Sequence, residues 1–255
     1  MPHGALTRYE RGRKKGKKAL FHLAAGWWMN DRLAAFVTGS EVEKGELIAD
    51  GIGRRVEYAG VGTALVSSPP EDRALADPIR LLTMSRLAAK KRVDVAVQAV
   101  RHLLDSGLRV SLTVAGAGDS ETERSIKEVI QSLGLTDAVQ MVGLVKGEAK
   151  ERLLAESDIF LLPSEDENFG IGVAEAAMHG LFVVASSKVA AATMLSEESA
   201  SKLDSTDPRS FATAVERAVG DHPVGARSQI SAEARELFSW SAVAQRWVSI
   251  VGDRS

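Results

Sequence analysis

From Ile79 to about Gly220 the chain repeats one pattern: a short apolar run, a loop, then a stretch with helical spacing. "IRLLTM" is followed by "VDVAVQAVRHLLDSG", where Val93, Val97, Val100 and Leu104 recur on one helical face and Gly107 stops the helix. "RVSLTVAG" leads to "SETERSIKEVIQSLGL", whose start has the Ser120-to-Glu123 spacing of a capping box. "AVQMVG" precedes the helical "GEAKERLLAES", and "DIFLLPS" precedes "GIGVAEAAMHG", closed by Gly180. "LFVVAS" is a further strand, and "DPRSFATAVERAVG" a helix with Pro208 near its first turn. The strands are near-continuous apolar runs, which fits burial on both faces. Five clear strands, with a sixth in "ASKLD", predict an α/β fold: a doubly wound parallel sheet of Rossmann-like type. In such a sheet ligands bind outside the carboxyl ends of the strands. The informative loops are therefore those after Met84, Ala115, Val142, Leu162 and Ala185.

Before Ile79 the pattern is thinner. "LFHLAAGWWMNDRLAA" and "EVEKGELIADG" read as helices, "AFVTGS" and "RRVEYAG" as strands, and "SSPPEDRALADP" as a polar, proline-containing linker. The expected organisation is a partial α/β domain with linker over residues 1–75, a ligand-binding domain over 76–230, and a terminal helix within 231–255.

The chain contains no cysteine, which excludes a disulfide scaffold, a thiol nucleophile and a thiolate metal site. No apolar run approaches the roughly 20 residues a membrane-spanning helix needs, and the start lacks the apolar core of a signal peptide. The expected location is the cytoplasm. A net charge of -2 conceals a basic run, Arg8, Arg11, Arg13, Lys14, Lys15, Lys17 and Lys18 against Glu10 alone. Such a run serves as a solvated face or linker, as an anchor on anionic lipid, or as a nucleic-acid arm.

Each loop at the carboxyl edge offers a chemistry and a plain alternative. "SRLAAKKR" places Arg86 and Lys91 between a strand end and a helix start, a setting for an anion such as phosphate; Lys90, Lys91 and Arg92 as solvated loop charges are the alternative. "AGAGDS" has Gly116 and Gly118, which permit a tight turn but lack the third glycine of a dinucleotide fingerprint. Gly143, in "VGLVKG", either lets backbone meet a flat ring or simply ends a strand. "SEDENFGIGVAEAAMHG" carries Glu167 in a loop and Glu175 on a helix, with seven residues between them. Glu175 sits among Val173, Ala174, Ala176 and Ala177, where a half-buried carboxylate needs donors; sugar or ribose hydroxyls supply two at once. His179, before Gly180, reads as a cation at a helix C-terminus. Trp240 and Trp247 read as core or interdomain contacts on the last helix, and Trp27 and Trp28 as packing residues or an interfacial anchor.

These motifs together resemble the C-terminal, nucleotide-sugar-binding domain of a GT-B glycosyltransferase of the group 1, family 4 type. "SRLAAKK" is similar to the family's Gly-Arg-Leu-x-x-x-Lys segment, "VAGAGD" to its Gly-x-Gly turn, and "LPSEDENFGIGVAEAAMHGLFVVAS" to its E-x7-E region. "YAGVGTAL" is similar to the entry into its interdomain linker. The resemblance implies transfer of a sugar from an NDP-sugar to an acceptor hydroxyl with retained configuration, in cell-envelope polysaccharide or glycolipid synthesis, without a metal or other cofactor. Arg86 and Lys91 would hold the donor diphosphate and stabilise its departure. Glu167 would contact the donor sugar and Glu175 the ribose. Asn168, Phe169 and Gly170 would offer the turn beside phosphate and sugar. Gly143, Leu144 and Val145 would frame the base, and Gly116 and Gly118 would allow close approach. Expected partners are the nucleotide-sugar donor, an acceptor that is a sugar, a lipid-linked sugar or another hydroxyl, and an anionic inner membrane face touched peripherally, with no nucleic acid. The other expectation is a truncated nucleotide-sugar-binding module without its own turnover, because about the first half of the family's N-terminal domain is missing from the match. Ser85 stands where the family has glycine, and "SKVAAATML" stands where it has a Gly-Gly turn facing the donor sugar.

Overall fold

The computed structural model describes residues 35–51, 55–66, 69–221 and 226–252. The basic run, Trp27, Trp28 and the first expected helix lie outside the described residues. The chain forms two compact units, one from Ala64 to Leu237, the other from the residues up to Thr63 and from Phe238 onward.

The smaller unit has a parallel pair of strands, β1 (Phe36–Thr38) and β2 (Val56–Tyr58), joined through helix α1 (Glu41–Ala49). Ser40 accepts from the Glu43 amide at 3.1 Å, and the Glu43 carboxylate accepts from the Gly39 amide at 3.2 Å, so two free donors at the helix start are satisfied. The last helix belongs to this unit. Its Arg246 donates to the Ala59 carbonyl at 2.8 Å and lies 5.6 Å from the centre of the Tyr58 ring. Trp240 of the same helix is 62% exposed rather than core, and its ring sits against Gly62, where a Cβ would come within 2.5 Å of it.

The larger unit holds six parallel strands: β3 (Ile79–Met84), β4 (Val110–Ala115), β5 (Val139–Gly143), β6 (Ile159–Leu162), β7 (Phe182–Ser186) and β8 (Ala200–Leu203). Their order is β5-β4-β3-β6-β7-β8. The chain winds outward from β3 to β5, returns, and winds outward from β6 to β8, so the direction reverses between β3 and β6. The linking helices are α2 (Val93–Asp105), α3 (Ser120–Ser132), α4 (Gly147–Glu156), α5 (Ile171–Met178), α6 (Ala190–Met194), α7 (Pro208–Asp221) and α8 (Ala226–Phe238), before α9 (Trp240–Gly252) of the smaller unit. Every residue of β6 and β7 is buried, and Leu81, Leu82, Ile159, Phe160 and Leu161 are among the largest fully buried side chains. Each contributes about 1.5–3 kcal/mol by leaving water. β3 and β6 pair at Leu81–Ile159 and Leu82–Phe160 before the strands part toward their carboxyl ends.

Three local readings change. The cap of α3 is Asp119, one residue before the expected Ser120: its carboxylate accepts from the Thr122 amide at 2.8 Å, while Glu123 reaches back to the Gly118 amide at 3.0 Å. Helices α6 and α8 have no counterpart in the sequence reading. The linker around residues 69–78 packs on the larger unit. Arg73 pairs with buried Asp158 at 2.6 Å, whose other oxygen accepts from the Arg80 amide at 2.9 Å, and Asp72 accepts from the Ser228 amide at 2.9 Å. On α8, Arg227 is 4% exposed and donates to the carbonyls of Ser157, His179 and Ala155 at 2.8, 3.0 and 3.1 Å. Burial, and then the charge of Arg73, lower its pKa to about 10, so the folded side chain is still a cation at neutral pH.

Candidate functional site

The reversal between β3 and β6 sets two loops side by side, residues 85–92 after β3 and residues 163–170 after β6. The first ends in a short 3-10 turn, Ala89–Lys91, closed by Arg92. The second crosses it. The Glu165 amide donates to the Lys90 carbonyl at 2.8 Å, and the Ser164 hydroxyl to the same oxygen at 3.2 Å. Three consecutive cations then meet three consecutive carboxylates. Lys90 pairs with Asp166 at 2.6 Å, the Lys91 ammonium with the Glu167 carboxylate, and Arg92 with Glu165 at 2.6 Å. Lys91 is only 7% exposed. The reading of these cations as solvated loop charges is therefore overturned: a buried ammonium is stable only beside a countercharge.

Arg86 lies in the same loop and behaves differently. It is exposed and makes no ion pair or side-chain hydrogen bond among the described residues. At the edge of the crevice a paired cation, Lys91, and a free one, Arg86, thus lie within one six-residue stretch.

Helix α5 starts beside them. Gly170, with φ +93, is its N-cap and has no side chain to cap the first turn; the Val173 amide turns back to the Gly170 carbonyl at 2.9 Å, which leaves the Ile171 and Gly172 amides to meet an anion. Alanine at 170 would put a Cβ 2.5 Å from Val189, and a Cβ on Gly172 would come 2.9 Å from the Met84 carbonyl. Gly172 lets the helix press against the end of β3, and Gly170 lets it press against the segment after β7. The Asn168 side-chain oxygen is buried without a hydrogen-bond partner, and Phe169 is buried, its carbonyl accepting from the Ala191 amide at 2.7 Å. Glu175, about one turn into α5, is half-buried and pairs with Lys150 of α4 at 2.7 Å. His179 does sit at the C-cap of α5, its ring bridging the Glu175 carbonyl at 2.8 Å and Glu151 at 2.9 Å.

The remaining expected positions divide by role. Gly143, with φ +71, has nothing within 4 Å of its Cβ position, and Leu144 next to it is 64% exposed, with Val145 half-buried. Ile171, at the start of α5, is 52% exposed. Open backbone with exposed apolar side chains suits the face of a flat ring. Gly116 and Gly118 have a packing role. A Cβ would lie 1.8 Å from the Ser85 carbonyl oxygen at the first and 2.2 Å from the Leu87 carbonyl oxygen at the second. They hold the loop after β4 against the loop after β3, where the Leu87 amide donates to the Ala117 carbonyl at 2.9 Å. After β7, Val189, Ala190, Ala191 and Ala192 are buried and offer no polar side chain.

Glu167 and Lys91 are therefore in direct contact, Asn168 and Gly170 flank Glu167, and Glu175 faces α4. Sequence reasoning missed Lys150, Lys90, Arg92, Glu165 and Asp166. A signal existed for the last four: "KKR" and "EDE" lie in the two loops that a doubly wound order brings together.

Residues 69–237 match the family described as Glycosyl transferases group 1. Amylovoran biosynthesis glycosyltransferase AmsK of Erwinia amylovora is 39% identical over 119 residues, which are 44% of this chain and 29% of AmsK. A D-inositol 3-phosphate glycosyltransferase of Nocardioides sp. is 30% identical over 242 residues, 84% of this chain and 52% of that protein. Among solved structures, Anabaena HepE in complex with UDP-glucose aligns with a TM-score of 0.72 at 19% identity, covering 90% of this chain and 66% of HepE. Sucrose-phosphate synthase from Thermosynechococcus elongatus aligns with a TM-score of 0.75 at 18% identity, covering 98% and 64%. Both share the fold. The chain spans about half or less of the length of these curated relatives and under two thirds of these structural neighbours.

Proposed function

The chain belongs to the group 1 glycosyl transferases, and from that premise we propose that it transfers a sugar from a nucleoside diphosphate sugar to an acceptor hydroxyl, retaining the anomeric configuration. The observation that supports this most is the crossing at the sheet reversal: a buried Lys91 against Glu167, a free Arg86, and an uncapped helix start at Gly170 in adjoining loops. In the reaction the bond from the anomeric carbon to the diphosphate breaks and negative charge gathers on the departing oxygen. Arg86, the α5 amides and Lys91, once it has exchanged Glu167 for the phosphates, stabilise that charge as it develops, which is where preorganised electrostatics contribute most. Glu167, released from Lys91 when phosphate arrives, accepts hydrogen bonds from the donor sugar. The unpartnered Asn168 oxygen accepts another. Glu175 accepts from the ribose hydroxyls, with Lys150 compensating its charge beside the diphosphate. Gly143 to Val145 frame the base.

The acceptor is assigned to envelope polysaccharide or glycolipid synthesis. Relatives named for amylovoran and colanic acid biosynthesis and a phosphatidylinositol N-acetylglucosaminyltransferase subunit support that class. The place of action proposed is the cytoplasmic side of an anionic membrane, with the basic run as the contact. No described helix is long and apolar enough to cross a membrane. A second reading, a donor-binding module without independent turnover, is favoured by one fact: the matches cover only 42% and 52% of two curated relatives.

Titration calorimetry with UDP, GDP and their glucose conjugates tests the reading. Binding weakened at least about tenfold in Glu175→Ala and Lys91→Ala is expected. No binding of any of the four compounds would sink both readings. Transfer or donor hydrolysis by the wild-type chain, lost in Glu167→Ala, decides for the enzyme over the module.

A further inference from the structure

Arg92 is the one non-glycine residue with positive φ among the described residues, at φ 48 and ψ 45. A side chain there is disfavoured and persists only where its surroundings hold it. Arg92 ends the turn that carries Lys91 and is at the same time the N-cap of α2. Its guanidinium forks. On one side it meets Asp94, in the first turn of α2, with three contacts of 3.0, 3.1 and 3.3 Å; on the other it meets Glu165, across the crevice, at 2.6 Å. Both carboxylates favour its charged form, Asp94 more than Glu165.

Glu165 is two residues before Glu167, and Asp166 between them is held by Lys90. The loop bearing Glu167 is thus tied to the loop bearing Lys91 by contacts that use neither Lys91 nor Glu167. When a diphosphate draws Lys91 away, those ties stay in place.

We propose that Arg92 is a positioning residue: a left-handed hinge whose guanidinium, forked between Asp94 and Glu165, keeps the Glu165–Asn168 segment in register so that Glu167 meets the donor sugar once Lys91 engages the phosphates. This rests on the donor-sugar role of Glu167 given above. Arg92 touches no ligand in this scheme and acts through Glu165. A lysine cannot replace it, because one ammonium does not span two carboxylates in a planar fork.

Arg92→Gly separates this role from a folding role, since glycine adopts the left-handed conformation freely and loses only the guanidinium. The variant is expected to keep the wild-type thermal midpoint or exceed it. In the ligand-free protein, amide hydrogen exchange at residues 165–169 should rise by about tenfold, the low end for losing a charge-assisted hydrogen bond whose partners are partly exposed. In calorimetry the affinity for UDP should change by less than about threefold, while the gain from UDP to UDP-glucose disappears, because the phosphate and ribose groups are untouched. Glu165→Gln should reproduce the exchange and sugar effects, and Arg92→Lys should restore them only in part. Unchanged exchange at 165–169 in Arg92→Gly overturns the clamp. So does increased exchange with an intact UDP-glucose preference, or full rescue by lysine. If the wild-type chain binds neither UDP nor UDP-glucose, the donor role of Glu167 fails and this proposal with it. The exchange result still tells whether Arg92 orders the loop.

Discussion

The contact between Lys91 and Glu167 makes a prediction whose size can be worked out. At about 3 Å and an effective dielectric of about 20, two unit charges attract by about 5 kcal/mol. Their side chains are only 9% and 20% exposed, so desolvation offsets most of that gain. The pair as a whole is worth little, but either member alone is costly. A fully buried charge stripped of its partner destabilises by about 3–5 kcal/mol. Glu167 keeps a fifth of its exposure, and water entering the space left by the lysine hydrates it, so Lys91→Ala should cost about 2 kcal/mol. Glu167→Ala strands the more deeply buried ammonium and should cost about 2–3 kcal/mol. The double variant removes both charges and should lie within about 1 kcal/mol of wild type. The coupling in the cycle is then at least about 3 kcal/mol. Urea unfolding followed by far-ultraviolet circular dichroism reads all four proteins. Single and double effects that add within about 0.5 kcal/mol would show that the two charges are independent, and the account of a mutually neutralising pair at the crevice would be wrong.

Gly116→Ala should destabilise by about 3 kcal/mol, since a Cβ 1.8 Å from the Ser85 carbonyl forces backbone apart. Gly143→Ala, with open space at its Cβ, should cost only about 1 kcal/mol for its left-handed φ; equal urea midpoints for the two variants would refute the packing role of Gly116. The Asp119 and Asp207 carboxyls are held below their ordinary value of 3.8, chiefly by the amides of Thr122 and Ser210. Folded values lower than unfolded ones give stability that is full above pH of about 4 and is lost as pH falls through the folded values. Asp119→Asn and Asp207→Asn should flatten that acid limb, as followed by thermal midpoints between about pH 5 and 2.5. Neutralising Arg13 to Lys18 should abolish binding of the chain to anionic vesicles, and added salt should weaken it in the wild type; salt-independent binding counts against the basic run as a membrane contact.

Much of the larger unit is legible in the sequence. Apolar runs such as "DIFLLP" and "LFVVAS", set between helical stretches, specify buried parallel strands, and the sixth strand is present in "ASKL". The carboxyl-edge rule then pointed to the loops that contain Lys91, Glu167 and Gly170. What escaped were features decided by competition or by distance. Asp119 and Ser120 both cap helices well, and backbone geometry chose the first. Helix α8 follows the weakly patterned "ARSQISAEARELF", which is fastened by buried Arg227 and Ser231 to carbonyls of the sheet unit. Gly116 and Gly118 look the same in the sequence whether they admit a ligand or a neighbouring loop.

By itself the sequence determined the elements and the edge of the sheet where chemistry gathers, because hydrophobic periodicity and glycine placement act within one or two turns of chain. Only the tertiary structure decided what those residues meet. Lys91 and Glu167 are 76 positions apart, and Lys150 and Glu175 25 apart. The reversal between β3 and β6 converts the first separation into contact, and turns three cations and three carboxylates from surface charge into a neutralised, half-buried seam. Pairing of that kind depends on strand order, which no local pattern encodes. It is the reason Lys91 can be buried and the left-handed Arg92 held at the same edge of the sheet.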